Sequence, residues 1–279
     1  MKEFFGIGGY TRPAEGFLSW QHLLFVGSLL CAMVLLAIWL GRRNRLGNAK
    51  QRNAPLVAAA LLIDGLEIFK IFILCYNDGS AEPILRNLPL FLCSIQLIAI
   101  PLAAFSKGRV REAAIDFVCI FGILGAIFGT IGAGQDYNCY PVLSFDNVVS
   151  GLTHCISGFS SLYILISGLT DMKKRNIGIT IGILMGFCTA AYIANVTIPY
   201  NYMFLMAGDG TPYDILYNLV NGSRIFYPIS VVALFLIYIA LFYWIFHLIK
   251  GKKQSGNSEE SFAGAEEHAP EKEPALTSK

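Results

Sequence analysis

Residues 29–40 read LLCAMVLLAIWL, a run with no charged side chain and no alternation of apolar and polar positions. A strand of a membrane barrel alternates over about 10 residues, so this run reads as helix. It lies inside a longer apolar stretch, residues 20–40, and a spanning helix needs about 20 mostly apolar residues. Six more stretches share the character: 54–76, 87–105, 114–133, 146–169, 177–205 and 225–249. Together they take up more than half of the chain and leave no segment large enough for a separate soluble domain. The sequence therefore predicts an all-α polytopic membrane protein. Seven transmembrane helices fill residues 1–250, and a disordered polar cytoplasmic tail, 251–279, is too poor in apolar residues to form a core.

Composition agrees. Of 279 residues, 55% are hydrophobic and 14% charged, where a soluble domain has about 45–50% and about 25%. That balance excludes an ordinary soluble domain and a disordered chain. The net charge is +2 and no basic stripe is interleaved with aromatics, so nucleic acid is not an expected partner; membrane lipids are. The seven cysteines show no CxxC or CxxH spacing, and zinc sites use such spacings. With no nucleotide-binding loop either, no metal and no cofactor are expected.

The cations sort the loops. Arg42, Arg43, Arg45, Lys50 and Arg52 follow the first stretch. Lys107, Arg109 and Arg111 follow the third, Lys173, Lys174 and Arg175 the fifth, and Lys250, Lys252 and Lys253 the seventh. Only Lys2, Arg12, Arg86 and Arg224 fall on the other side. The positive-inside rule then predicts the N-terminus out and the C-terminus cytoplasmic, in the cell membrane. The first stretch is too long for a cleavable signal and is followed by WLGRRNR, so it reads as an uncleaved anchor. In an oxidising outer compartment, Cys75 and Cys139 are candidates for a disulfide.

A charge inside a spanning helix costs about 2.5–3.5 kcal/mol on insertion scales, so the few present are informative. The second stretch carries Asp64, Glu67 and Lys70 at steps of three, which puts neighbouring members on one helix face. Glu67 and Lys70 are expected to pair. A self-neutralising pair and a polar wall of a substrate cavity both remain open.

Cys93, in the third stretch, and His154, in the fifth, both enter from the outer face. At 1.5 Å per residue they lie roughly 8 and 10 Å below it, a shared level. Glu67 and Lys70 lie roughly 13 and 9 Å deep by the same rule. Asn195 and Asn201 approach from that side on the sixth helix, which Pro199 is expected to break or kink near its outer end. A thiol with a base in reach becomes a nucleophile at neutral pH and forms a thioester with an acyl group. A lone buried Cys is otherwise a small hydrophobe, and a lone His is otherwise bonded to a carbonyl. His22, beside Gln21 at the outer mouth of the first helix, is an interfacial anchor or part of the site.

At LPLFLCSIQ around Cys93, YPVLSF before the fifth helix, His154 within it, and PYNYMFL around Asn201, the chain resembles the YwaF-like family of polytopic membrane proteins. That family is related to an animal transmembrane ether-phospholipid acyltransferase. The resemblance implies a cysteine acyltransferase that moves fatty acyl chains between phospholipids, with Cys93 as nucleophile and His154 as its partner. On this reading Glu67, Lys70, Asn195 and Asn201 are candidate substrate-binding residues. A transporter using Asp64, Glu67, Lys70 and His154 as a proton or ion relay, and a non-catalytic membrane protein, are the alternatives.

Overall fold

Pro89 and Pro199 decide where the apolar stretches stop being helical. A proline lacks an N–H and pushes the residue before it out of the helical region. The computed structural model describes residues 1–131 and 134–266. Among them are ten α-helices and no strand. In chain order they are α1 Trp20–Asn44, α2 Ala49–Asp78, α3 Glu82–Arg86, α4 Gln96–Phe105 and α5 Gly108–Thr130. Then come α6 Gly134–Cys139, α7 Phe145–Ser167, α8 Ile177–Thr197, α9 Asp214–Leu219 and α10 Phe226–Glu266.

Among the described residues, five helical segments are long and apolar enough to cross a membrane: Trp20–Asn44, Gly108–Thr130, Phe145–Ser167, Lys174–Thr197 and Phe226–Gly251. Helix α2 has 30 residues, which is about 45 Å and ample length, but it carries Asp64, Glu67 and Lys70. The third expected span is not one helix. Its residues, 87–105, form an irregular link over 87–95 containing Pro89 and then α4, whose 10 residues reach only about 15 Å. The sixth is also shorter than expected. Helix α8 ends at Thr197, and Ile198 before Pro199 is extended (φ −120°, ψ 137°). Helix α10 runs on to Glu266, past the start of the polar stretch at residue 251; residues 267–279 of the expected tail lie outside the described residues.

Capping residues explain the other ends. Asn48 accepts from Gln51 N while the Gln51 side chain accepts from Asn48 N, a capping box that starts α2. Gly79 and Gly168 close α2 and α7 with φ near 67° and 66°, where a side chain is disfavoured. The terminal carbonyls of α7 accept from Arg52, and Ala104 O near the end of α4 accepts from Asn53 at 2.8 Å, so orphan helix-end groups are satisfied inside the protein.

Residues 1–236 form one compact unit, and α10 from Ile237 onward belongs to a second. Within the first unit α5 and α7 are central. Buried residues make up 67% and 56% of their apolar stretches, against 11% for α1. Helix α1 exposes Leu23, Leu24, Leu35, Leu36 and Trp39, a surface that suits lipid rather than water. Lipid offers no hydrophobic drive between helices, so close packing relies on small residues. A β-carbon on Gly122 of α5 would fall 2.6 Å from Ser157 O of α7, and one on Gly158 would fall 2.5 Å from both Ala126 Cβ and Met33 Sδ. These glycines let α1, α5 and α7 approach backbone to side chain. All seven cysteines are free thiols, so the candidate Cys75–Cys139 bridge is not formed.

Candidate functional site

The break at Pro89 sets the site. Cys93 was expected on a helix, but it lies in the link between α3 and α4. Non-helical backbone at membrane depth occurs where it is buried in protein or lines a cavity. The link is held by its own turns: Ser94 Oγ accepts from Phe91 N and donates to Phe91 O, each at 3.1 Å, and Ile95 N donates to Phe91 O at 3.0 Å. The backbone N–H groups of Cys93 and Ser94 lie beside the Cys93 sulfur. They precede α4, in turn backbone whose N–H groups have no helical partner and are free to face an anion.

A second irregular segment walls the first. After α8 the chain forms a 3-10 turn, Tyr202–Phe204. Phe91 packs on Tyr202 and Phe204 with ring centroids 5.5 and 5.9 Å apart. Met203 and Phe204 both have positive φ, 55° and 54°, a conformation that side chains rarely adopt without support. The support is the two asparagines. Asn195 clamps Tyr202, accepting from its N at 2.7 Å and donating to its O at 3.0 Å. Asn201 accepts from Met206 N at 2.8 Å and donates to Ala207 O and Asp209 Oδ2, each at 2.7 Å. Their polar groups are thus engaged with the chain itself.

His154 reaches the same place from α7. Its ring lies flat on Gly129 of α5, where a β-carbon would fall 2.2 Å from Cε1 and Nδ1. Cys93 sits over Gly125, one helical turn away on the same face: a β-carbon there would be 3.6 Å from Cys93 Cβ. Cys93 and His154 are both half-buried. No hydrogen bond joins them, and His154 has no hydrogen-bond partner among the described residues.

Glu67 and Lys70 pair at 2.8 Å within α2, with side chains only 12% and 11% exposed. The Lys70 charge acts on both Cys93 and His154, and Glu67 acts on Cys93, so the pair borders the site. Asp64 has no ion-pair partner among the described residues. His22 is buried; its Nδ1 accepts from Leu18 N at 3.2 Å and its ring packs 4.1 Å from the Tyr137 ring. That arrangement anchors the start of α1.

Three neighbours escaped sequence reasoning. Ser157 is three residues after His154, on the same face of α7, a spacing that could have flagged it. Gln96 lies in the LPLFLCSIQ segment itself, fully buried, with neither amide atom bonded. Tyr213 comes from the loop before α9, with no local signal. Burial, and then the nearby Cys93, push its phenol up to about 12, so it stays a hydrogen-bond donor.

A family model described as the TMEM164 family matches residues 17–246. No curated protein matches the chain, and no solved structure does.

Proposed function

The chain belongs to the TMEM164 family and is a membrane protein with several apolar helices, and from that premise we propose that it transfers fatty acyl chains between phospholipids through Cys93 and His154. The observation that carries this reading is the common seat of the two side chains. Elements far apart in sequence bring a thiol and an imidazole to adjacent turns of one glycine face of α5.

The chemistry follows in order. The Cys93 thiol gives its proton to His154 through a bridging water, because the turn between Gly125 and Gly129 is about 6 Å of rise. Catalytic contacts in an unliganded site are often longer than in the reacting complex. The sulfur attacks the ester carbonyl carbon, a C–S bond forms, and the carbonyl π pair moves to oxygen. When the C=O reforms, the C–O bond to the lysolipid breaks and the leaving alkoxide takes the proton from His154. The acceptor hydroxyl then gives its proton to His154 and attacks the thioester, and the thiolate leaves and takes that proton back from His154. Lys70 and the N–H groups of Cys93 and Ser94 lie near the sulfur, while Asn195 and Asn201 hold the loop that walls the Cys93 link.

The proposal includes seven passes with the N-terminus outside the cell membrane. The third pass is made of the link and α4, with α3 at its outer end, so the reactive sulfur opens toward the outer leaflet. The test is the full chain in phosphatidylcholine vesicles with a radiolabelled acyl chain and a lyso-ether phospholipid acceptor. The expected result is hydroxylamine-labile label on Cys93 and transfer to the acceptor, both lost in Cys93→Ala, with transfer lost in His154→Ala. Absence of label from the wild-type cysteine overturns the reading.

A further inference from the structure

Ser157 is 2% exposed, and its buried Oγ has no hydrogen-bond partner among the described residues. Its neighbours on α7 behave differently: Ser160 donates to Ile156 O at 2.8 Å, Ser167 to Tyr163 O at 2.6 Å, and Ser161 across to Cys119 O. Serines in membrane helices usually bond back to a carbonyl in this way, and leaving a buried hydrogen bond unmade is costly. A hydroxyl left unbonded in such surroundings calls for an explanation.

Its position supplies one. Ser157 Oγ would lie 3.9 Å from a β-carbon on Gly125, and Cys93 Cβ and Cα would lie 3.6 and 3.7 Å from the same point. The hydroxyl and the cysteine therefore flank one small space, kept open because residue 125 has no side chain. An acyl group joined to the Cys93 sulfur has its carbonyl oxygen within a few ångströms of that sulfur.

The geometry points to Ser157 as a further catalytic residue, whose O–H donates to the carbonyl oxygen of the acyl group bound at Cys93. This rests on the acyl-transfer reading above. The hydroxyl keeps its proton throughout. As the C–S bond forms and the π pair moves to oxygen, the developing oxyanion receives the Ser157 hydrogen bond; as the C=O reforms, that bond weakens. Donors aimed at a developing oxyanion contribute more to the transition state than to the ground state. The subsite takes an ester or thioester carbonyl.

The experiment compares wild type, Ser157→Ala and Gly125→Ala as full chains in the labelled phosphatidylcholine vesicles. Three quantities are read: acylation of Cys93, its alkylation by iodoacetamide, and the melting temperature. Alkylation displaces iodide and forms no oxyanion. Ser157→Ala is expected to slow acylation by about 10²–10³-fold, with alkylation unchanged and the melting temperature equal or higher, because an unbonded polar group has been removed. Gly125→Ala, whose methyl makes only ordinary contacts, is expected to fold and to slow acylation by filling the space. Equal acylation in wild type and Ser157→Ala overturns the inference while the acyl-transfer reading stands. Parallel slowing of acylation and alkylation also overturns it, since the serine would then act on the sulfur. A wild type that never acylates Cys93 overturns the acyl-transfer reading itself.

Discussion

The His154 ring lies flat on Gly129, so close that a β-carbon there would fall 2.2 Å from two ring atoms and 2.4 Å from Nε2. The imidazole therefore owes its place to a missing side chain on the facing helix. In a bundle whose helices gain little from burying apolar surface against one another, such a fit fixes a ring without a hydrogen bond to hold it.

Gly129→Ala should mimic His154→Ala in function while keeping the imidazole. The ring must move, and overpacking of this kind costs about 1–3 kcal/mol. Acyl transfer in vesicles is expected to drop close to the His154→Ala level. A Gly129→Ala protein with full activity would show that the seat on α5 does not matter.

Lys70 and Glu67 should behave as one unit. Their ion pair is 2.8 Å long with side chains almost sealed. Removing one partner strands the other, at about 3–5 kcal/mol, whereas replacing both is often near neutral. Lys70→Met and Glu67→Gln are each expected to lower the melting temperature, and the double variant to recover most of it. Lys70→Met should also slow iodoacetamide alkylation of Cys93, because a cation near the sulfur favours the thiolate. If Glu67→Gln instead abolished a pH-dependent ion flux and Cys93→Ala left it intact, a relay would replace the acyl-transfer reading.

Apolar run length made most of the helices legible, because α1, α5, α7, α8 and α10 fall on five of the expected stretches. It misled at residues 87–95, where composition stays apolar but Pro89 removes an N–H and disfavours helix at Leu88. Pro199, by contrast, was readable as a break. Counting depth along helices predicted one level for Cys93 and His154, whereas they lie against adjacent turns of α5, at Gly125 and Gly129. The Glu67–Lys70 pair was legible from its spacing of three. The asparagines were not: a buried amide reads the same whether it faces a ligand or, as Asn195 does, a neighbouring backbone. The glycine seats under Cys93 and His154 depend on how α5 meets α7, which no local pattern encodes.

Asn195 should act on the chemistry only through position. Asn195→Ala leaves the buried Tyr202 N–H and carbonyl without their side-chain partner, at about 1–3 kcal/mol. The 3-10 turn that packs on Phe91 then loosens. Cys93 acylation and iodoacetamide alkylation are expected to fall together, unlike the split expected for Ser157→Ala. Asn195→Asp keeps the acceptor for Tyr202 N and should recover part of both rates. A variant with a lower melting temperature but unchanged alkylation would confine Asn195 to stability.

Glu82 ties the outer start of the Cys93 link to the loop after α8. Its carboxylate accepts from Tyr200 Oη and from Arg86 at 2.6 Å. Those two hydrogen bonds, the tyrosine's first, hold its pKa below the ordinary 4.5. A carboxyl whose folded value is depressed contributes stability above its unfolded value and loses it as pH falls through the folded one. The tie should therefore be intact at neutral pH and persist somewhat below pH 4.5, then open on further acidification. Because the group is exposed, the effect should be local rather than global. Amide exchange in α3 is expected to rise only in strong acid for the wild type. Tyr200→Phe, which lacks the donor, should move that rise toward higher pH. Identical exchange profiles for the two proteins would mean that the Tyr200–Glu82 contact does not order the link.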